Sequence, residues 1–218
     1  IDENSSDGTS NIALGYIDKY GADKFSLIRH EKSVGVQKAA NWVFKNTCAP
    51  YVIRLDADDY WMPHLLEKLY HQMVLNPNAA LAFGSYVYVS DDSQYLVEEN
   101  SVNHVNRYDS GLDAPHGACT LVDREKFLKE GLYFESVNAQ DGWDLWMKCF
   151  PKYEFITITE PLFYYRQHAS SLSRNDDRIL HARRKLTRLN LKRKIEASIN
   201  VLIPIAKHLN LRSKTVSV

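Results

Sequence analysis

The sequence predicts an α/β fold: a mixed, mainly parallel sheet flanked by helices, followed by a basic helical extension. Three observations carry this. Strand-like and helix-like patterns alternate through the first half of the chain, as expected for parallel strands joined by crossover helices. Later apolar runs at 80–89 and 95–97 lie close enough to form a hairpin, which adds an antiparallel edge. From Asp176 the pattern turns helical and strongly basic.

The elements follow in order. The run Ile1-Asp2-Glu3-Asn4-Ser5-Ser6-Asp7-Gly8-Thr9 reads as the end of a strand entering a loop, with at least one strand and helix expected upstream. Thr9 or Ser10 is placed to cap a helix carrying Ile12, Leu14 and Ile17. Phe25–Ile28 is a short strand. Gly35 closes a loop, and Val36–Lys45 is a helix with Ala39, Ala40 and Val43 on one face. Tyr51–Leu55 is a buried strand rich in β-formers. Pro63 suits the first turn of a helix reaching about Leu75. Residues 80–89 form a strand, with 95–97 as its hairpin partner. Residues 98–116 form a long polar loop of the kind that carries function. Arg124–Glu130 is a helix stopped by Gly131, and Trp143–Phe150 is another. Phe155–Ile158 and Leu162–Tyr165 are strands split by Pro161. These elements divide the chain into a catalytic-size domain over 1–175 and an extension over 176–218.

Composition bounds the function. The chain has 218 residues, 44% hydrophobic and 25% charged, which excludes a wholly disordered chain. Cys48, Cys119 and Cys149 are too widely spaced for a metal knuckle and fit a reducing compartment. No apolar run approaches the roughly 18 residues that span a bilayer, and no signal peptide is visible. The expected location is cytoplasmic, including a peripheral position at the inner face of the membrane. The net charge of zero hides an asymmetry: residues 178–218 hold 11 Lys/Arg against one acid, Glu196, while residues 1–177 hold 16 against 26. An acidic body with a basic tail argues against a nucleic-acid partner for the body.

The strongest local signal is Leu55-Asp56-Ala57-Asp58-Asp59, directly after the apolar strand. Clustered carboxylates repel one another unless a cation or several donors face them. Oxygen ligands select hard ions such as Mg²⁺ or Mn²⁺, and Mg²⁺ commonly shares its shell between one or two carboxylates and a phosphate. An EF-hand is excluded, because Trp61 stands where that loop needs glycine. A solvated turn, with Asp59 starting the next helix, is the alternative reading of the acids alone.

Six segments then resemble the motifs of family 2 glycosyltransferases of the GT-A fold, in the family's order. Ile1–Thr9 resembles the VDDGSTDGT loop. His30–Val36 with Ala39, Ala40 and Asn41 is similar to N-x-G-x-x-x-A-x-N. Asp56-Ala57-Asp58-Asp59 matches the Asp-x-Asp motif. Gly131-Leu132-Tyr133-Phe134-Glu135 resembles GGYDE, and Gln140-Asp141-Gly142-Trp143-Asp144-Leu145-Trp146 resembles ED-x-x-LW. Glu160-Pro161-Leu162 through Arg166, His168, Ser171 and Ser173 is similar to EPL-x-x-YR-x-H-x-x-S-x-S. The chain departs from the pattern in three places. The family's first strand, with part of the base pocket, is missing ahead of Ile1, so reduced activity of this stretch alone is expected. Glu3 replaces an Asp, and Gln140 and Gly142 alter the fifth motif.

The resemblance implies a GT-A domain and an inverting, Mn²⁺- or Mg²⁺-dependent transfer from a nucleotide-diphosphate sugar. The acceptor would be a glycan or lipid-linked hydroxyl in polysaccharide, lipopolysaccharide or other glycoconjugate synthesis. It places Asp2, Glu3, Asp56 and Arg166 on the nucleotide sugar, and Asp58, Asp56 and His168 on the metal. It leaves Asp141, with Asp144 as runner-up, at the position of the catalytic base. Asp144 is also spaced to pair with Lys148 on one helix face, and His168 is also readable as an ordinary hydrogen-bonded histidine. His104, Asp113 and His116 are candidates for acceptor contact.

A nucleotidyltransferase-like enzyme and an inactive nucleotide-sugar-binding module are the alternatives. The extension carries Ile179, Ala182, Leu186 and Leu189 at helical spacing, then Ile195, Ile199 and Leu202 after a shift, among seven basic residues from Arg183 to Lys194. It reads either as a face for an anionic membrane surface or as a stripe that packs on the body.

Overall fold

The computed structural model describes residues 1–99, 116–150, 152–168 and 175–208, with 97–99 and 201–208 as backbone only. The helices are α1 (Thr9–Tyr20), α2 (Val36–Asn46), α3 (Leu65–Leu75), α4 (Arg124–Lys129), α5 (Asp141–Cys149) and α6 (Asp176–His208). The strands are β1 (Tyr51–Val52), β2 (Tyr60–Trp61), β3 (Ala79–Val89), β4 (Tyr95–Glu99), β5 (Leu121–Asp123) and β6 (Glu154–Arg166). The sheet runs β1-β5-β3-β6-β2, with β4 added to β3.

The sheet is mixed, but its parallel share is smaller than expected. Among the described strands only β3 and β6 run parallel; a separate, isolated parallel bridge links Asp2 to Arg29 outside the named strands. The other four pairings are antiparallel. The reason is local. β1 keeps only Tyr51 and Val52 in the ladder, antiparallel to β5, and beyond them the Arg54 carbonyl accepts from the Cys119 N–H at 2.7 Å. Phe25–Ile28 contributes to the bridge rather than to a full strand.

β3 is the hub, and β3 and β6 are nearly fully paired. Pro161 does not divide β6 as expected. It sits at a register shift, where Gly84 faces Ile158 and the next residue, Ser85, faces Pro161. A proline lacks the N–H that a central ladder needs, so a bulge is its natural place. The Ser85 hydroxyl donates to the Thr159 carbonyl at 2.7 Å and holds the bulge. Gly84 admits it: a Cβ there would collide with the Leu162 side chain.

Helices cover both faces. On one, α3 buries Leu65, Leu69 and Met73 against Ala82, Tyr86 and Phe163. On the other, Phe44 of α2, Phe127 of α4, and Leu145 and Cys149 of α5 close over Leu81 and Phe83. Each such side chain contributes about 1.5–3 kcal/mol by leaving water. Asn41 locks this face: its amide donates to the Tyr133 carbonyl and its carbonyl accepts the Tyr133 N–H, both at 2.9 Å. Thr9 and Ser10 do not cap α1, whose N-cap is Gly8. Asp7 takes the Thr9 N–H, and the Ser10 hydroxyl goes to Asp2.

Candidate active site

The pairing of β2 with β6 builds the carboxylate loop. Tyr60 faces Tyr164 in antiparallel register, so residues just before Tyr60 lie beside residues just after Tyr164. Asp58 Oδ2 stands 3.0 Å from His168 Nε2, and Asp59 Oδ1 accepts the Arg166 N–H at 2.9 Å. Burial, reinforced by Asp58 and Asp56, pushes the Asp59 carboxyl up to about 7 despite that bond. Asp59 is a buried member of the turn, while Asp58 and His168 stay partly open.

Arg166 is placed at the same loop. Its Nε donates to the Asp58 carbonyl at 2.9 Å, its Nη1 to the carbonyls of Ser90 and Asp91, and its Nη2 to the Ser93 hydroxyl. Its fork ties the loop to the β3–β4 turn. Asp56 is not in the Asp58–His168 pair but meets Arg54 Nε at 3.2 Å. Burial raises the Asp56 pKa, Arg54 opposes the rise, and Asp141 adds to it.

Among the described residues no group of three or more His, Cys, Asp or Glu side chains stands together as a metal cage. Asp58 and His168 make a pair. One carboxylate and one imidazole fit a Mn²⁺ or Mg²⁺ ion that takes its other ligands from a diphosphate and water.

Asp2 and Glu3 are both heavily engaged. Asp2 is buried and accepts from the Ser10 hydroxyl and, at 2.8 Å, the Ser5 N–H. Those bonds, with Arg29 at 3.7 Å, hold its carboxyl down at about 2. Glu3 reaches His30 at 2.6 Å, the Ser33 hydroxyl at 2.9 Å and the N–H groups of Val34 and Gly35. Burial opposes its ionisation, and these donors outweigh it. Glu3 thus pins the 30–35 loop ahead of α2.

Gln140, in the left-handed region at φ 58°, turns the chain into α5, so Asp141 is the helix's first residue. Arg54 Nη2 lies 2.9 Å from Asp141 Oδ2. Asp144 lies deeper. It sits 3.2 Å from Lys148 Nζ and accepts the Phe134 N–H at 2.7 Å, with both charged side chains 1% exposed. Burial pushes the Asp144 carboxyl up and the Lys148 ammonium down.

Sequence reasoning passed over Arg54, which joins Asp56 to Asp141, and Gly117, where a Cβ would collide with the Asp141 carboxylate. A charged residue inside the apolar run Tyr51–Leu55 was the available signal for Arg54, since buried charges need partners. His116 packs against Tyr165 with ring centroids 4.5 Å apart and the planes tilted by 59°, and burial lowers its pKa. His104, Asp113, Ser171 and Ser173 lie outside the described residues.

The stripe of α6 packs on the body. Ala182 and Leu186 are buried with Val137, and Leu189, Phe134, Ala139 and Trp143 pack around them. Arg183 Nε donates to Gln140 Oε1 at 2.8 Å, and Arg193 reaches Glu130 at 3.1 Å. Beyond this contact Leu191, Ile195 and Ile199 are exposed. No described helix is long and apolar enough to cross a membrane.

Glycosyl transferase family 2 matches residues 1–131, more than half of the chain. An uncharacterized glycosyltransferase of Methanocaldococcus jannaschii is 28% identical over 146 residues, covering 64% of this chain and 50% of that protein. The UDP-Glc:alpha-D-GlcNAc-diphosphoundecaprenol beta-1,3-glucosyltransferase WfaP of Escherichia coli is 26% identical over 175 residues, 80% of this chain and 66% of that protein. The crystal structure of S. aureus TarS 1–349 in complex with UDP-GlcNAc superposes with a TM-score of 0.66 at 16% identity, over 87% of this chain and 54% of that one. The chain thus spans about half the length of the archaeal relative and of the solved structure. The TarS likeness shows the GT-A fold. With the match over residues 1–131, it follows that this chain belongs to glycosyl transferase family 2.

Proposed function

We propose that this domain transfers a sugar, with inversion, from a uridine-diphosphate donor to a hydroxyl of a lipid-linked glycan, with Asp141 as base and a divalent ion at Asp58 and His168. The observation that carries this is the contrast between two carboxylates. Asp144 is enclosed with Lys148. Asp141 stands at the start of α5 with its side chain 20% exposed, and among the described residues it pairs only with Arg54, through Oδ2.

Asp141 takes the proton of the acceptor hydroxyl as that oxygen attacks the anomeric carbon. The bond from that carbon to the diphosphate breaks, and its electron pair leaves with the diphosphate. A bound Mn²⁺ or Mg²⁺ supplies charge neutralisation for this leaving group. Asp58 and His168 would hold it, and Arg166 fixes the backbone of that loop. Glu3 and Asp2 shape the loop entering the donor side. The uridine donor and lipid-linked acceptor rest on the names of WfaP and the TarS complex.

A lipid-linked acceptor gives the outer face of α6 a role. Of the two readings of the stripe, packing on the body is the one its buried residues fit. Leu180, Leu191 and Ile195, interleaved with Arg184 and Arg188, face the other way. Such a face suits an anionic membrane surface, at roughly 1 kcal/mol per basic residue.

The test is UDP release from UDP-glucose and UDP-GlcNAc with Mn²⁺ and an alkyl-diphosphate-GlcNAc acceptor. Acceptor-dependent release, and a roughly ten- to hundred-fold weaker Mn²⁺-dependent UDP affinity in Asp58→Ala, is the expected result. Equal calorimetric binding in Asp58→Ala and parent refutes the metal assignment. Binding without release in every donor and acceptor combination favours a binding module.

A further inference from the structure

Arg54 stands between the donor-side acid and the candidate base. Its Nε is 3.2 Å from Asp56 and its Nη2 2.9 Å from Asp141, so one guanidinium joins residues from two distant stretches of chain. Its own backbone is fixed, since its carbonyl accepts the Cys119 N–H at 2.7 Å. That bond also holds the 117–119 turn beside it. Gly117 in this turn backs onto Asp141: a Cβ there would collide with the carboxylate and touch the Gly142 nitrogen. Oδ2 of Asp141 is therefore enclosed by Arg54 and Gly117. A carboxylate torsion is otherwise broad and soft. Held at one oxygen by Nη2 of a guanidinium whose Nε is anchored on Asp56, it presents the other in a fixed direction.

We propose that Arg54 is a positioning residue for glycosyl transfer: it clamps Oδ2 of Asp141 so that Oδ1 faces the acceptor hydroxyl, and through Asp56 it ties that orientation to the donor side of the cleft. The proposal rests on Asp141 being the base. A lysine keeps the charge but is a flexible point donor that cannot hold two carboxylates in one plane. Arg54→Lys therefore separates orientation from charge.

The experiment is a double-mutant cycle of Arg54→Lys and Asp141→Asn in the 218-residue chain. It uses UDP-glucose and UDP-GlcNAc as donor probes, Mn²⁺ and the alkyl-diphosphate-GlcNAc acceptor, with thermal melts as the fold control. Arg54→Lys is expected to lower kcat by roughly 10–100-fold, the scale of a misplaced catalytic group. Calorimetric affinity for UDP should stay within about twofold of the parent, and in the Asp141→Asn background the same change should cost less than about twofold. Gly117→Ala, which displaces the same carboxylate and leaves Arg54 in place, should reproduce the loss. Unchanged turnover in Arg54→Lys, or an equal loss with and without Asp141, overturns this proposal and leaves the base assignment standing. Parental turnover in Asp141→Asn overturns the base assignment and this proposal with it. If Arg54→Lys does not fold, Gly117→Ala carries the cycle with the same two outcomes.

Discussion

Along α5, Asp141 and Asp144 lie one turn apart and live in opposite surroundings. Asp141 begins the helix, partly exposed and held on one oxygen by a long-range arginine. Asp144 points into the core, where Lys148 and the Phe134 N–H surround it and the Lys148 ammonium also sits 3.7 Å over the Phe134 ring. Two identical side chains thus divide into a partly exposed group at the helix start and a buried group that fixes the 132–134 segment. The difference lies in where the helix begins. The left-handed turn at Gln140 puts the first acid outside and sends the fourth residue inward.

The largest expected effect sharpens that division. Asp141→Asn should lower transfer by roughly 10²–10⁴-fold, the range for a lost general base, with an unchanged melting temperature. If Asp144→Asn shows that signature instead, the division is reversed. Next in size, Asp144→Asn should destabilise by about 3–5 kcal/mol in urea unfolding, because it leaves the buried Lys148 without its counter-charge. Replacing both, as Asp144→Leu with Lys148→Met, should recover most of that loss, since a buried pair can give way to apolar packing. A double variant as unstable as Asp144→Asn would show that the Phe134 contact, not charge, dominates.

The smallest effect concerns Glu130, a buried carboxylate that is paired like Asp144 but with partners at the surface. Burial opposes its ionisation, and Lys152 and Arg193 outweigh it, so its pKa lies below the ordinary 4.5. A depressed acid contributes stability above its unfolded pKa and loses it as pH falls through the folded one. Glu130→Gln should therefore cost about 1–3 kcal/mol at neutral pH, and the cost should shrink below pH 4.5. A cost that is constant with pH would mean that shape, not charge, holds Arg193.

The sequence reading was strongest where the controlling contacts are local. The spacing of Asp144 and Lys148 announces their pair, and the helical stripe of Ala182, Leu186 and Leu189 announces a packed face. The family match and the GT-A fold were legible from motif order. What receives the stripe was not legible, because Val137, Ala139 and Trp143 come from a loop and a helix start with no periodicity of their own. Pro161 was misjudged because its effect is decided by pairing with β3, where a bulge lets the strand continue. Arg54 was missed because both of its partners are set by tertiary approach, one of them through Gly117. Helices α2 and α3 matched closely in extent; α3 carries its apolar face in its own spacing, whereas α2 buries Gln37, Ala39, Asn41 and Phe44 and leaves the expected Ala40 and Val43 only half-buried.

The docking of α6 has a consequence for solvent exchange. It covers the 134–143 segment from which Asp141 emerges, with Leu186 and Asn190 fully enclosed. The amides of Val137 and Asp144 donate within that segment, to the carbonyls of Phe134 and Gln140. They reach deuterium only when the C-terminal helix lifts, so their exchange should follow the same opening free energy as the amides of Leu186 and Asn190. The seat of the proposed base and a helix some fifty residues later would then behave as one cooperative unit, opening together or not at all.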